Sequence, residues 1–326
     1  MPLRVVVEAG LCANSVDWAH DAVDAAAEAG VFGFKVQLLN PDTLTARTAP
    51  RYDRLAGPDT QYQAFTGALP YSAWAEVYAH AREKGLVPFA SCWDEAAVEA
   101  SEDLLKPEWY KIGSADITHH SLIRLIAETG KNVIISTGAS DEAEILAALD
   151  IFWGYPVRQI VLMACSLSYP CGLADARLSR IRWLDDMALA IDGLGYSDHV
   201  PLIETGALAV AAGASWLEKH FTVTPGAGGD HDFALNPLEL NDYVDRANRA
   251  WTAMYHPEGN EGALTAELPA RALARRSLHA TKAIKSGERL VEYGNVRFLR
   301  PAEGGIQADA VGPWYAERDY EEGEQI

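Results

Sequence analysis

Two histidines occupy similar places in consecutive segments of the sequence. His199 lies in GLGYSDHV, directly after an apolar run, and His220 lies in SWLEKHFT, twenty-one residues later. That separation is one helix plus one strand, so both side chains are expected at the ends of neighbouring strands. Because such strands lie about 4.8 Å apart, two imidazoles can reach one ion. Imidazole with nearby carboxylate suits a borderline divalent metal, although a lone histidine at a strand end is more often only hydrogen bonded.

Lysines at strand ends are the second unusual feature. The chain has eight lysines and a formal net charge of −19, so a lysine that follows apolar residues needs a reason. Lys35 and Lys111 are in such places, where each can form a structural ion pair or bind an anionic substrate. Ser114, Ser136 and Thr137 follow strand-like segments in the same way. Two cations with several hydroxyls suit a phosphate, or a phosphate plus a carboxylate.

The elements that must position these residues alternate between strand and helix. RVVVEAG predicts a first strand and VDWAHDAVDAAAEAG a first helix, and the alternation continues to SWLEKHF and the helix after it. Eight strands, each followed by a helix, over about 250 residues predict a (β/α)8 TIM barrel. A doubly wound open sheet is the alternative. Its dinucleotide-binding form is disfavoured, because no GxGxxG loop follows the first strand.

The active site of such a barrel lies at the C-terminal ends of the strands. Polar residues stand at the end of every predicted strand, so they would all lie on one rim of the barrel. Eight strands with this pattern argue against coincidence. The rim residues, strand by strand, are Glu8; Lys35 and Gln37; Ser91, Cys92 and Trp93; Lys111, Ser114 and Asp116; Ser136 and Thr137; Cys165, Ser166, Ser168 and Tyr169; Ser197, Asp198 and His199; Glu218 and His220.

Composition narrows the domain organisation and the class of protein. We expect a barrel over residues 1–255, a polar linker over 256–276 and a small β-rich domain over 277–326. The negative charge argues against nucleic acid or an anionic membrane as partner. No membrane span or signal peptide is expected, and four cysteines without zinc-type spacing suggest a reduced, cytoplasmic enzyme.

Several motifs carry a family resemblance when they are taken in order. VEAG, FKVQ, YKIGSADI, VIISTGAS, SLSYP, GYSDH and EKHFT resemble the sialic acid synthase family, whose members make nonulosonic acids from phosphoenolpyruvate. SLHATKAIKSGERL and FLRPAEGGI resemble its C-terminal antifreeze-like (SAF) domain. The resemblance covers essentially the whole chain. GYSDH and EKHFT at this spacing are its most specific part.

The resemblance implies a reaction. Phosphoenolpyruvate attacks the aldehyde of an open-chain aldose, such as N-acetylmannosamine or an unusual sugar, through its C3. Mn2+ or Mg2+ polarises the aldehyde, water adds to C2, and phosphate leaves with C–O cleavage. A Lewis acid suits the negative charge that develops on the former aldehyde oxygen.

The resemblance also assigns roles to residues. It implies His199 and His220 as catalytic metal ligands, and Glu8 as the acidic residue that handles a proton or orients the acceptor. For Arg300 it implies a contact with the acceptor in the partner subunit's active site, hence a domain-swapped homodimer. The phosphoenolpyruvate pocket is expected to comprise Lys35, Lys111, Ser114, Ser136, Thr137 and Ser197. Acceptor contacts are expected from Gln37, Ser91, Trp93, Ser168, Tyr169 and Asp230.

This sequence departs from the family pattern mainly on the acceptor side. Cys12-Ala13 stands where the family has Asn-His, SCW replaces TPF, Ser168 replaces Asn, and Asp116 replaces Glu. We therefore expect phosphoenolpyruvate to be retained and the sugar to be unusual, with Trp93 shortening the pocket or stacking on the acceptor. Ordinary drift within the family is the alternative.

Two other functions remain open at this point. A metal-dependent aldolase or lyase that uses pyruvate could occupy the same barrel, and it would release no phosphate. A non-catalytic sugar-binding protein is the third hypothesis, against which both histidines and both lysines argue.

Overall fold

The protein is described here by a computed structural model that covers residues 2–51, 60–187, 189–255, 257, 259, 261–310 and 312–326. The chain divides into two compact units, Met1–Tyr255 and His256–Ile326. In the described part of the chain, no helix combines the length and apolarity that a membrane span requires.

The first unit is a closed barrel of eight parallel strands, each paired with its neighbours in chain order. This confirms the predicted (β/α)8 TIM barrel over the open-sheet alternative. The strands are β1 (Arg4–Glu8), β2 (Gly33–Leu38), β3 (Val87–Cys92), β4 (Trp109–Ile112), β5 (Asn132–Ser136), β6 (Ile160–Cys165), β7 (Gly193–Asp198) and β8 (Trp216–His220).

Helices surround the barrel, and each major one follows a strand. The helices of this unit are α1 (Val16–Glu28), α2 (Pro41–Leu44), α3 (Gln61–Phe65), α4 (Trp74–Glu83), α5 (Glu95–Ala100), α6 (His120–Glu128), α7 (Glu142–Phe152), α8 (Ser179–Asp186), α9 (Thr205–Ala211) and α10 (Pro237–Met254).

Helix α1 illustrates how the sequence specifies these elements. Ser15 caps its first turn by accepting a hydrogen bond from the backbone N–H of Trp18 at 3.1 Å. Ala19, Ala22 and Val23 then recur at helical spacing and are fully buried. The helix therefore packs one apolar face against the barrel, as its pattern predicts.

The long polar loop after β2 contains more structure than the sequence indicated. Helices α2 and α3 form on either side of residues 52–59, which lie outside the described residues. Asn40 caps α2, and Thr60 and Gln63 form a capping box at the start of α3. These helices are too short to show an apolar periodicity, and local caps stabilise them instead.

The second unit is small and rich in β-structure, as the predicted fold class requires. Strand β9 (Ser277–Ala280) pairs antiparallel with β10 (Val296–Leu299) over a small apolar core that includes Leu278 and Ile284. The stretch expected to be a linker, 256–276, contains helix α11 (Leu268–Ala274).

Candidate active site

The inner face of the barrel changes from apolar to polar where the strands end. Side chains on one face of a strand recur every second residue, so a residue two beyond an inward apolar one also faces inward. The parallel register places Glu8 beside Lys35, and Ser197 beside Glu218. We call this set the polar layer. It consists of Glu8, Lys35, Ser91, Lys111, Ser136, Cys165, Ser197 and Glu218.

Four charged side chains of the polar layer form one buried cluster. Lys35 forms an ion pair with Glu8, and its Nζ lies 3.7 Å from Oε1 of Glu218. Lys111 Nζ lies 3.4 Å from Oε2 of the same Glu218. All four side chains are at most 5% exposed. Two cations and two anions from four strands therefore share the base of the site.

Burial and the neighbouring charges shift two pKa values in this cluster. Burial lowers the pKa of Lys35 to about 7, although the Glu218 carboxylate opposes the shift. For Glu218, burial favours the neutral acid, but Lys111 and then Lys35 outweigh it and lower the pKa. Glu218 is therefore ionised at neutral pH, while Lys35 can gain or lose a proton there.

Glu218 is the member of this cluster to which the sequence analysis gave no role. It accepts a hydrogen bond from Ser197 at 3.1 Å, in addition to its contacts with Lys35 and Lys111. Its position two residues before His220 was the available signal, because that spacing puts both side chains on the inner face.

The predicted hydroxyl groups differ in what they contact. Ser114 accepts a hydrogen bond from the backbone N–H of Gly138 at 2.9 Å, and a Cβ on Gly138 would lie equally close to that hydroxyl. Ser136 is buried, and its Oγ has no hydrogen-bond partner among the described residues. The Ser136 hydroxyl is therefore available for a ligand.

Thr137 differs from the prediction. Its hydroxyl donates to the backbone carbonyl of Met163 at 3.1 Å, and its backbone N–H donates to the same oxygen. The side chain follows Ser136 by one residue and so lies on the opposite face of the chain. The structure does not bring Thr137 into the polar layer.

The two histidines face each other above this layer. Their ring centroids are 5.5 Å apart, and the Tyr169 ring stacks at 4.0 Å from that of His199. Burial, then the His220 charge, lowers the pKa of His199 to about 3, so this imidazole is neutral at ordinary pH. His220 Nδ1 lies 3.7 Å from Asp230 Oδ2.

This pair fits a divalent metal. His199 Nδ1 lies 2.9 Å from the Ser166 carbonyl, to which it donates, and this leaves the Nε2 lone pair for a ligand. Within the described ranges, no group of three or more His, Cys, Asp or Glu side chains could hold a metal. Two imidazoles would therefore hold the ion together with water or substrate oxygens.

A cavity of about 510 Å³ lies at the C-terminal ends of the strands, and its lining includes His220 but neither His199 nor the residues of the polar layer. Its walls include most of the predicted acceptor residues and a set of apolar side chains from the short helices and loops. The predicted residues in the wall are Gln37, Ser114, Trp93, Ser168, Tyr169, His220 and Asp230, and the apolar ones include Leu11, Leu44, Phe65 and Leu167.

Trp93 forms part of an aromatic corner of this cavity. Its ring meets that of Phe65 edge to face, with centroids 6.0 Å apart. Its Nε1 and the Oε1 of Gln37 are buried without a hydrogen-bond partner among the described residues. Both atoms can therefore bind a polar group of a ligand beside an apolar surface.

The remaining predicted residues are placed as follows. Asp230 is buried and accepts a hydrogen bond from the backbone N–H of Leu11 at 3.2 Å. Ser91 lies in the polar layer, 3.3 Å from Lys35 Nζ, rather than among the cavity-lining residues. Arg300 belongs to the second unit, where it is exposed, and its role in a partner subunit stays a prediction.

Comparison with known proteins finds a matching family model and several similar proteins. The model of the NeuB family matches residues 22–258. The chain is 31% identical to the N,N'-diacetyllegionaminic acid synthase of Campylobacter jejuni over 310 residues, which cover 92% of this chain and 91% of that protein. It is also 31% identical to a pseudaminic acid synthase of the same species over 313 residues, covering 92% and 88% of the two chains.

A solved structure agrees with these sequence matches. The N-acetylneuraminic acid (sialic acid) synthetase of Leptospira borgpetersenii superposes with a TM-score of 0.73 at 27% identity. The match covers 83% of this chain and 90% of that one.

Proposed function

The chain belongs to the NeuB family, and from this premise we propose that it condenses phosphoenolpyruvate with an open-chain aldose. The product is a 2-keto-3-deoxy sugar acid of the nonulosonate type. The new C–C bond joins C3 of phosphoenolpyruvate to the aldehyde carbon. Water adds to C2, and phosphate leaves by cleavage of the bond between C2 and the bridging oxygen, which gives the keto group. The enzyme is accordingly a C–C bond-forming transferase.

The observation that carries this proposal is the buried pair of lysines, Lys35 and Lys111, which two glutamates of the polar layer hold together. Among the described residues, Lys35 and Lys111 form ion pairs with Glu8 and Glu218 of the same cluster, and an incoming dianion can replace those contacts. The unpartnered hydroxyl of Ser136 and the hydroxyl of Ser197 supply donors at the same level. This set suits the phosphate and carboxylate of phosphoenolpyruvate.

The residues of the site have different roles in the proposed reaction. The lysines and serines orient phosphoenolpyruvate so that its C3 faces the aldehyde in the cavity above. A divalent metal, Mn2+ or Mg2+, held by His199 and His220 would supply Lewis-acid polarisation of the aldehyde. Glu8, whose carboxylate accepts from the Gly10 N–H, is placed beside Lys35 to hold a proton or orient the acceptor.

The acceptor is proposed to bind along the outer wall of the cavity. Gln37, Tyr169 and Asp230 offer polar contacts, and Trp93 with Phe65 offers an apolar surface. We also propose that the second unit is an SAF domain that lends Arg300 to a partner subunit in a domain-swapped homodimer. All four cysteines are free, in keeping with a reduced, cytoplasmic enzyme.

A screen of aldoses with phosphoenolpyruvate and Mn2+ or Mg2+ tests the proposal, with phosphate release and product mass as readouts. His220→Ala is expected to abolish phosphate release while the circular dichroism spectrum is kept. His120→Ala, at an exposed histidine of α6, is the matched control and should keep full activity. Full activity of His220→Ala would contradict the metal role. Condensation of pyruvate without phosphate release would replace the proposal with an aldolase.

A further inference from the structure

A buried ion pair lies on the outer face of β7 and β8, the strands at whose ends the two histidines lie. Asp198 and Lys219 are register partners on β7 and β8, and Lys219 Nζ lies 3.0 Å from Asp198 Oδ2. Each residue immediately precedes one of the histidines, so its side chain leaves the opposite face of the strand. Both side chains are at most 1% exposed. We call Asp198 and Lys219 the outer pair.

The outer pair holds the backbone on the far side of His199. Asp198 Oδ1 accepts from the backbone N–H of Val200 at 3.0 Å. Lys219 donates to the backbone carbonyl of the same Val200. Both backbone polar groups of the residue after His199 are therefore bound by side chains, one of which comes from the residue before His220.

Two helices complete the environment of the outer pair. The hydroxyl of Thr205, the first residue of α9, donates to Asp198, and the hydroxyl of Tyr243 on α10 donates to Oδ2 at 3.2 Å. The Tyr243 ring also lies 5.4 Å from Lys219 Nζ. A Cβ at Gly206 would lie 2.5 Å from that ring, so glycine is required there for the approach.

Stability alone does not explain two charges at this depth. Replacing a buried ion pair by apolar side chains of similar volume is often neutral or stabilising, whereas a satisfied buried pair can fix one conformation. The outer pair joins the two chain segments that carry His199 and His220, and Thr205 and Tyr243 hold it in place from α9 and α10. A role in fixing those segments accounts for both the burial and the choice of partners.

We propose that Asp198 and Lys219 are positioning residues, which lock β7 to β8 so that the imidazoles of His199 and His220 converge on one ion. The part of this proposal that concerns the metal rests on the proposed function. The outer pair contacts neither the cavity nor the polar layer in the described structure, and it acts only through the backbone of the histidine-bearing segments.

The test is the double variant Asp198→Asn/Lys219→Met, which removes both charges together and leaves neither unpaired. Titration of the metal-free protein with Mn2+ alone should show a loss of affinity of about tenfold or more, the size expected when partners outside the ligand set are changed. Circular dichroism and a cooperative melt should be kept. Tyr196→Phe, at another outer-face residue of β7, removes a buried hydrogen bond to the backbone carbonyl of Ala176 and should keep Mn2+ affinity.

Imidazole signals in NMR spectra provide a readout that needs no metal. Signals of His199 and His220 should shift or broaden in the double variant and stay in place in Tyr196→Phe. If the wild-type protein binds no Mn2+, the metal part of the proposed function fails, and the imidazole signals alone decide the role of the outer pair. A folded double variant with unchanged Mn2+ affinity and unchanged imidazole signals would overturn the inference.

A second variant covers the case in which the double variant does not fold. Tyr243→Phe removes one hydrogen bond to Asp198 and keeps both charges. It is expected to perturb the same two imidazole signals and to weaken Mn2+ binding severalfold. Unchanged signals together with unchanged Mn2+ affinity in this variant would equally overturn the inference.

Discussion

The two ends of the barrel interior are built from the same strands but from opposite residue types. At the N-terminal end, Phe89, Trp109 and Trp216 pack with Val6 in an apolar cluster. Arg4 joins them, with its guanidinium 4.7 Å from the Trp216 ring centroid. At the C-terminal end, the polar layer places two lysines and two glutamates among hydroxyl groups.

This difference separates stability from chemistry along the barrel axis. Apolar burial stabilises the fold, whereas burying charges costs desolvation energy that their pairing only partly recovers. The proposed function accounts for that cost at one end, because it uses the charges there to bind a ligand. Changes at the N-terminal end should therefore reduce stability, and changes at the C-terminal end should reduce catalysis.

The largest expected effect is on stability, at the apolar end. Trp109 is 3% exposed, and its ring centroid lies 4.7 Å from that of Trp216. Trp109→Ala should lower the free energy of unfolding by about 3–5 kcal/mol, because it leaves a cavity in the packed layer. Chemical denaturation measures the loss, and kcat/KM of the folded fraction should stay within a few-fold of wild type.

Trp153→Ala is the matched control for this variant. Trp153 is 58% exposed at the end of α7, so its removal should change the unfolding free energy by no more than about 0.5 kcal/mol. If Trp109→Ala lowered kcat/KM of the folded protein by as much, in free energy, as it lowered stability, the proposed separation between the two ends would be wrong.

The second effect is on catalysis, at the polar end. Lys111→Met removes one of the two buried cations and should lower kcat/KM by about 10²–10³-fold, as removal of a preorganised electrostatic contact does. Steady-state phosphate release measures the change. Lys84→Met, at an exposed lysine paired with Asp24, should leave kcat/KM unchanged. An unaffected Lys111→Met enzyme would show that the cluster is only structural.

The third effect is a pH dependence of phosphoenolpyruvate binding. Burial lowers the pKa of Lys35 to about 7, and Glu8, Glu218 and Lys111 are the charged groups that face it. A bound anion favours the charged lysine and raises its pKa. Binding near pH 8 should therefore be accompanied by uptake of up to about one proton, and this uptake should vanish below about pH 6, where Lys35 is already protonated.

Calorimetry in buffers of different ionisation enthalpy measures this uptake. Lys35→Arg is the matched variant, since an arginine stays protonated and binds without taking up a proton. Protons taken up by the phosphate of the ligand are common to both proteins and cancel in the difference. Equal uptake by the wild-type protein and Lys35→Arg would assign the titration to another group.

The sequence predicted the barrel and its polar rim because each strand changes from apolar to polar residues at the same relative position. It placed His199 and His220 on neighbouring strands from their spacing alone. It left Asp198 unassigned and gave Glu218 no role, although alternation along each strand puts Glu218 on the face of His220 and Asp198 on the face opposite His199. Which residues of two neighbouring strands lie side by side depends on the register between the strands. Burial of Asp198 with Lys219 became visible only in that register.

The smallest expected effect is at Thr137. It tests directly how far the sequence can predict which side chains belong to the site. The sequence grouped it with Ser136, but its hydroxyl donates to the Met163 carbonyl in the barrel wall. Thr137→Val should lower the unfolding free energy by about 1 kcal/mol, since the carbonyl keeps its bond to the Thr137 N–H. The KM for phosphoenolpyruvate should not change.

Ser136→Ala is expected to give the opposite result. Its Oγ has no hydrogen-bond partner among the described residues, so its removal should cost little stability. It should raise the KM for phosphoenolpyruvate by several-fold, because the ligand loses a donor of the polar layer. A raised KM in Thr137→Val with no change in Ser136→Ala would mean that the two residues exchange faces when ligand binds, and the division between wall and site at the end of β5 would have to be redrawn.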